Sequence, residues 1–406
     1  MHDASGMAER SLNLLVLSFY YEPDLSACSF RTTALVRELR SIAPSGSRIA
    51  VLTTAPNRYH SYNVRAASVQ DADGVSVTRI SLPKHKSGLL DQSGAYMAYA
   101  RAVLSLTRGK KYDLVFATSS RLMTAVLGAL VSRRLRAPLY LDIRDIFVDT
   151  VRDVFPKHRA MLITPILSLL ERWAIGAASR VNVVSGGFDG YFGRRYPNTP
   201  LSHFTNGIDE EFIQAAGDPP SLANAGDGRP LTIVYAGNIG DGQGLHTIVP
   251  GLALALGERA RFLIIGDGGR RTALEAAVAL SGATNVAILA PLQRRELLDV
   301  YRGADVLFLH LNDHSAFLKV LPSKVFEYAA TGKPILAGVG GYAAEFLAAE
   351  VANAAIFRPC DVEGAVNALA QLTLLDSPRL EFVARYARDV VSRSLARDLL
   401  STAAAG

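Results

Sequence analysis

A chain of 406 residues with 49% hydrophobic content is too long for one ordinary core, so two globular domains are expected. The 43 Lys and Arg against 37 Asp and Glu give a formal charge of +6, which favours an anionic partner without choosing between phosphate ligand, lipid headgroup and nucleic acid. The basic residues are scattered, with no aromatic stacking platform and no zinc-finger spacing, so no nucleic-acid partner is expected. Cys28 and Cys360 stand far apart, which argues against a disulfide framework or a cysteine metal site and fits a reducing, cytoplasmic setting. The start of the chain lacks an apolar segment behind a basic patch and does not read as a secretory signal. The longest apolar runs, such as 122–131 and 161–170, fall well short of the roughly 20 residues that a membrane-spanning helix needs.

In chain order, residues 12–19 form an apolar run suited to a buried parallel strand, followed by the turn YYEPDLSACS, a helix over about 30–41 and a second strand at 48–53. This order opens a doubly wound α/β domain, in which the loop after the first strand faces a ligand crevice. Tyr20, Tyr21, Pro23 and Ser26 are therefore candidates to line it, unless the tyrosines cap the sheet. Asp71 and Asp73 superficially resemble a metal-clamping Asp-x-Asp pair, but Asp73-Gly74 before an alternating run reads as a hairpin turn, and no metal is expected. A helix over 93–106, a strand over 112–118 and an Ala/Leu-rich helix to about 134 follow. The strand 138–143 then delivers Arg144 and Asp145 to the crevice, either as working groups or as a pair that pins the loop. Asp149 lies just beyond, on the same side. Residues 153–178 read as one apolar-faced helix with basic residues at its start, suited either to an anionic membrane surface or to ordinary packing. The strand 181–184 and the stretch 204–208, with Asn206-Gly207, complete a first domain over 1–212.

Residues 213–229 are polar, rich in Pro and Gly and aperiodic, as a linker would be. A second α/β domain follows over 230–385. Its first strand, 231–236, runs into Gly237, Asn238, Gly240, Gly242, Gln243 and Gly244 at a helix start, where backbone amides and the helix dipole favour an anion. Strands at 261–265, 286–289 and 306–310 repeat the theme. Residues 318–345, LKVLPSKVFEYAATGKPILAGVGGYAAE, place Lys319, Ser323, Lys324 and Glu327 around a helix start, then a strand and the glycines Gly340 and Gly341. Lys324 and Glu327 are spaced either for a nucleotide diphosphate and its ribose or for an i, i+3 surface ion pair. A last helix over about 379–401 carries arginines on its outer face, and 386–406 is expected to pack back toward the first domain.

Taken together and in order, YYEPD, SHFTNGIDEEF, YAGNIGDGQGLHTIV, LIIGDGGRR, ADVLFLHL, PSKVFEYAATGKPI and GGYAAE resemble the family-4 glycosyltransferases, and the resemblance covers nearly the whole chain. It implies the GT-B fold: α/β, two facing Rossmann-like domains with a cleft between them. LDIRDIFVDT, GNIGDGQGL and LPSKVFEY look most like N-acetyl-L-fucosamine transferases of bacterial O-antigen or capsule assembly. The implied reaction moves a sugar from a UDP-sugar donor, held mainly by the second domain, to a lipid-diphosphate-linked saccharide held by the first. The enzyme would work at the cytoplasmic face of a membrane, with no metal or other cofactor. By position, Glu327 matches the family's ribose-holding second Glu, 237–244 the diphosphate loop, Gly266 and Asp267 the donor side, and Gly340, Gly341 and Glu345 the turn near diphosphate and sugar. Two departures stand out. The family's first Glu falls at Lys319, and the Arg and Lys usual after the glycine loop are missing, with Gln243 and His246 nearby. Lys319 and Lys324 are therefore expected to neutralise the leaving diphosphate together. Two alternatives stay open, a UDP-sugar 2-epimerase of the same fold and a nucleotide-binding subunit without catalysis.

Overall fold

A computed structural model describes residues 10–24, 26–56, 66–83, 89–119, 122–154, 157–216 and 228–405. The first half builds strands β1 (Asn13–Leu17), β2 (Arg48–Thr54), β3 (Val69–Ala72), β4 (Val75–Ile80), β5 (Leu114–Ser119), β6 (Leu139–Ile143), β7 (Arg180–Val183) and β8 (Leu201–Ser202). Its helices are α1 (Ala27–Ile42), α2 (Leu89–Leu106), α3 (Leu122–Leu135), α4 (Phe147–Val154), α5 (Lys157–Gly176) and α6 (Asp189–Arg195). After α7 (Glu210–Ala216), the second half builds β9 (Leu231–Ala236), β10 (Ala260–Ile265), β11 (Val286–Leu289), β12 (Val306–His310), β13 (Ile335–Gly338) and β14 (Ala354–Phe357). Interleaved with these are α8 (Leu245–Leu256), α9 (Arg271–Ser281), α10 (Arg294–Arg302), α11 (Lys324–Ala330), α12 (Gly341–Glu350) and α13 (Val362–Gln371), followed by α14 (Leu380–Tyr386) and α15 (Arg388–Ala404).

The apolar runs become two sheets, ordered β3-β4-β2-β1-β5-β6-β7-β8 and β11-β10-β9-β12-β13-β14. Among the described residues every strand pair is parallel except β3 with β4, whose turn at Asp73 (φ 49°) and Gly74 (φ 79°) is the hairpin that Asp-Gly requires. Parallel strands bury both faces, which is why β5, β6 and β12 are buried at every position. In the first domain a salt bridge is sealed inside this packing: Asp142 on β6 pairs at 2.9 and 3.0 Å with Arg31 of α1 and accepts from Thr118 (3.0 Å) and Asn182 (2.7 Å). Arg31 in turn donates to the carbonyls of Phe204 (2.8 Å) and Thr205 (2.5 Å), fixing the loop that leaves the domain.

The chain crosses to the second core earlier than residue 212. Ile208 and Phe212 both belong to the core under α11, and α7 occupies 210–216, where a linker was expected to begin. Beside this crossing the chain returns. Ile208 N–H donates to Tyr386 O and Arg388 N–H to Ile208 O, each at 2.8 Å, while Ala387 takes a non-helical conformation that splits the expected last helix into α14 and α15. The second piece packs on the first domain, burying Leu395, Ala396 and Leu399 against Leu35, Val36 and Leu39 of α1. The expected single helix over 153–178 is likewise two helices, α4 and α5.

Candidate active site

A cavity of about 450 Å³ opens at the carboxyl ends of β9, β10, β11 and β12, with Ser26, Ala27 and Phe30 of the first domain closing one side. In parallel α/β sheets this end of the strands is where ligands bind. Of the residues singled out from sequence, Gly237, Asn238, Gln243, Gly266, Asp267, Ser323, Lys324, Glu327 and Ser26 line it.

Lys324 opens α11 and reaches back to the glycine loop. A Cβ placed on Gly237, which has φ +143°, would collide with Lys324 Nζ, so the ammonium occupies space that any other residue would fill. The ammonium also sits 5.5 Å from the centre of the Tyr235 ring. Burial holds Lys324 below the ordinary lysine range, an effect that Glu327 offsets in part. Burial pushes Glu327 up, with Lys324 opposing the rise and Asp209 adding to it. By surface area both residues are half-buried, with an edge on the cavity, and no hydrogen bond or ion pair engages the Glu327 carboxylate among the described residues.

The glycine loop itself is less available than its sequence promises. Gly237 N–H donates to Ile265 O (2.8 Å), Ile239 N–H to Asp267 O (2.9 Å) and Gly240 N–H to Gln243 Oε1 (3.2 Å). Gln243 Oε1 also accepts from Asn238 Nδ2 at 2.8 Å. These amides knit the loop to its neighbours, and the cations that line the cavity beside it are Lys324 and Arg294. Gly240, Gly242 and Gly244 lie behind the cavity surface, the last two against Phe317 and Asn312. Buried His310 holds the loop from below: Nδ1 is 2.7 Å from Gln243 O and Nε2 accepts from Cys360 N–H at 2.9 Å.

Several expected residues lie elsewhere. Lys319 is outside the cavity wall, its ammonium 2.5 Å from Asp149 of the first domain, because the turn Ser315–Lys319 rests directly on α4 and residues 185–187. Gly340 and Gly341 pack against Leu318, and Glu345 is exposed on α12, so this turn does not reach the cavity. Tyr21 is buried with Leu14 and Leu35 in the first-domain core, and burial raises its phenol well above the ordinary range. Pro23, whose bond to Glu22 is cis, lies outside the cavity wall too. Arg144 donates to Asn206 Oδ1 at 3.3 Å, and its buried Nη1 has no acceptor among the described residues. Asp145 lines a separate crevice of about 10 Å³ with Ser119, Phe147 and Glu171.

Sequence reasoning missed Arg294. It lines the cavity, lies 3.8 Å over the Phe30 ring across the domain boundary, and pairs with Asp209 and, at 3.1 Å, with Glu211. Burial lowers its affinity for the proton, but Asp209 outweighs that and holds the guanidinium above its usual range. Asp209 also takes Arg388 at the returning crossing, so the cavity wall and the hinge share one charge network. The signal was present: Arg294 follows β11 at a strand's carboxyl end.

Two parallel-sheet domains sharing a crevice at their strand ends, with a lysine and a carboxylate converging in it, form the GT-B arrangement of glycosyltransferases. The Glycosyl transferase 4-like domain model matches residues 28–206 and the Glycosyl transferases group 1 model residues 223–390, so the chain is a glycosyltransferase built from these two domains. A relative from Escherichia coli K12, provisionally named as the colanic acid biosynthesis glycosyl transferase WcaI, is 25% identical over 337 residues, 79% of this chain and 82% of WcaI. Among solved structures, sucrose-phosphate synthase from Thermosynechococcus elongatus superposes with a TM-score of 0.74 at 14% identity, over 98% of this chain and 100% of that one. Anabaena HepE, solved in complex with UDP-glucose, gives 0.66 at 16% identity, over 96% and 100%. WaaG, described as a glycosyltransferase involved in lipopolysaccharide biosynthesis, gives 0.60 at 14% identity, over 97% and 98%. At these identities the structures speak for the fold.

Proposed function

We propose that the chain transfers a sugar from a UDP-sugar to a lipid-diphosphate-linked saccharide, with an N-acetylated deoxy-sugar such as N-acetyl-L-fucosamine as the donor sugar. Its product would enter an O-antigen, capsule or related exopolysaccharide at the cytoplasmic face of a membrane. The observation that carries this reading is Lys324 seated over bare Gly237, beside the unengaged Glu327 carboxylate. When the bond from the anomeric carbon to the diphosphate oxygen breaks, the electron pair stays on the diphosphate. A half-buried ammonium aimed at that charge is worth roughly 3–4 kcal/mol, by analogy with one oxyanion-hole donor. Glu327, one helical turn on, has both oxygens available for two ribose hydroxyls.

The names of WcaI, HepE and WaaG support a nucleotide-sugar donor and a cell-surface polysaccharide product. The outer face of α5 supports a membrane-bound acceptor: Met161, Leu162, Ile166 and Leu169 are each 61–74% exposed on one helix that also begins with Lys157 and His158. No helix among the described residues is long and apolar enough to cross a membrane.

A thermal-shift and hydrolysis screen across UDP-, GDP- and dTDP-sugars tests the donor. UDP at about 100 times its dissociation constant should stabilise the chain by about 2.7 kcal/mol, and UDP-sugar should be consumed only when acceptor is present. Conversion of UDP-sugar alone to an epimer, or UDP binding without transfer to any acceptor, would replace this reading with a 2-epimerase or a silent subunit. The anomeric configuration of the product then separates a single displacement, which inverts, from retention.

A further inference from the structure

The turn Ser315–Lys319 belongs to two surfaces at once. Phe317, Val320, Pro322, Ser323 and Lys324 line the cavity, while Lys319 between them turns away and crosses to the first domain. There its ammonium lies 2.5 Å from Asp149 Oδ2 on α4 and 5.6 Å from the centre of the Tyr191 ring. Asp149 is buried, with Arg152 also near it at 3.8 Å. The backbone is engaged as well, since Ser185 Oγ donates to Lys319 O at 2.6 Å. A Cβ on Gly187 would collide with that same carbonyl and come within 2.8 Å of Tyr342 Cβ, so the two domains touch here backbone to backbone.

We infer that Lys319 is a positioning residue that acts through Asp149: their ion pair fastens the donor-side wall of the cavity to the acceptor-side helix and sets the closed relation of the two domains. The existence of the pair is independent of what fills the cavity; its effect on turnover rests on the donor-site reading above. Lys319 stands where the family resemblance puts a glutamate, and a glutamate there would repel Asp149. The chain has a cross-domain attraction in place of a group for the donor. A pair whose lysine is about a third exposed is moderate in strength and sensitive to salt, which suits a contact that must open to admit substrate and release product.

The test uses the full-length variants K319E, D149K and K319E/D149K, read by small-angle X-ray scattering without ligand and by UDP-sugar turnover with acceptor. Each single reversal should give a more extended particle and lower turnover by about tenfold, and the double reversal should recover both. K319Q and D149N, which keep the side-chain shapes, guard against misfolding of the reversals. Their double variant should be no worse than either single, as expected for a unit. Singles that scatter like the parent, or losses in K319Q/D149N that simply add, would overturn the inference. So would a charge-reversed double that regains its compact shape without regaining turnover, because Lys319 would then be acting on the diphosphate itself. If UDP fails to stabilise the parent, the donor-site reading falls while the scattering still decides the pair.

Discussion

At Lys324 stability and activity pull in opposite directions. Its ammonium is held partly out of water beside Gly237, and burial lowers its hold on the proton, so a methionine of similar length relieves a desolvation cost. K324M should therefore melt at or above the parent temperature while turnover falls by about 10²–10³-fold; a variant that loses both in proportion would assign Lys324 to the fold alone. His310 gives a pH signature. Burial lowers it from 6.5 to about 4, and neutral imidazole is the form that joins Gln243 O to Cys360 N–H. Its contribution is full above 6.5, where the unfolded imidazole is also neutral, and is lost as pH falls toward about 4, where the unfolded chain holds a proton that the folded chain lacks. That gap amounts to roughly 3 kcal/mol. Urea denaturation of H310Q between these limits should show a flatter pH dependence than the parent, and equal slopes would contradict the neutral assignment.

Among the elements, the strands were the most legible, because a parallel sheet covered on both faces needs uninterrupted apolar runs and few other structures produce them. The glycine loop and α11 were legible through Gly, Pro and the cations flanking them. What sequence could not supply were contacts between distant segments. The Asp142–Arg31 pair joins residues 111 apart, and Lys319–Asp149 residues 170 apart, so nothing in the local pattern of either shows a partner. Helix α7 was hidden by the polar stretch that follows it, and the split at Ala387 is imposed by its pairing with Ile208 and not by any helix-breaking residue. Two predictions belong here. D142A strands the buried Arg31 guanidinium and should cost about 3–5 kcal/mol in urea denaturation; a loss under about 1 kcal/mol would mean that water or a neighbour replaces the carboxylate. Replacing Met161, Leu162, Ile166 and Leu169 of α5 by serine should leave the melting temperature unchanged, because these side chains point outward, and cut co-sedimentation with anionic vesicles by at least about tenfold. Undiminished vesicle binding would move the membrane face elsewhere.

Across the whole molecule, the two crossings at Ile208 and Ala387, the packing of α15 on the first domain, and the Asp209 network with Arg294 and Arg388 make one hinge beside the cavity. The Lys319–Asp149 contact is a second tie between the domains. A ligand bound between them therefore meets walls from both, and its affinity includes the work of bringing them together. The most direct measurement is the crystal structure of the full chain with UDP. The account predicts the β-phosphate within hydrogen-bond distance of Lys324 Nζ, the ribose hydroxyls on Glu327, and Lys319 still paired with Asp149. Diphosphate density outside the cavity, or a Lys324 ammonium turned away from it, would contradict the account.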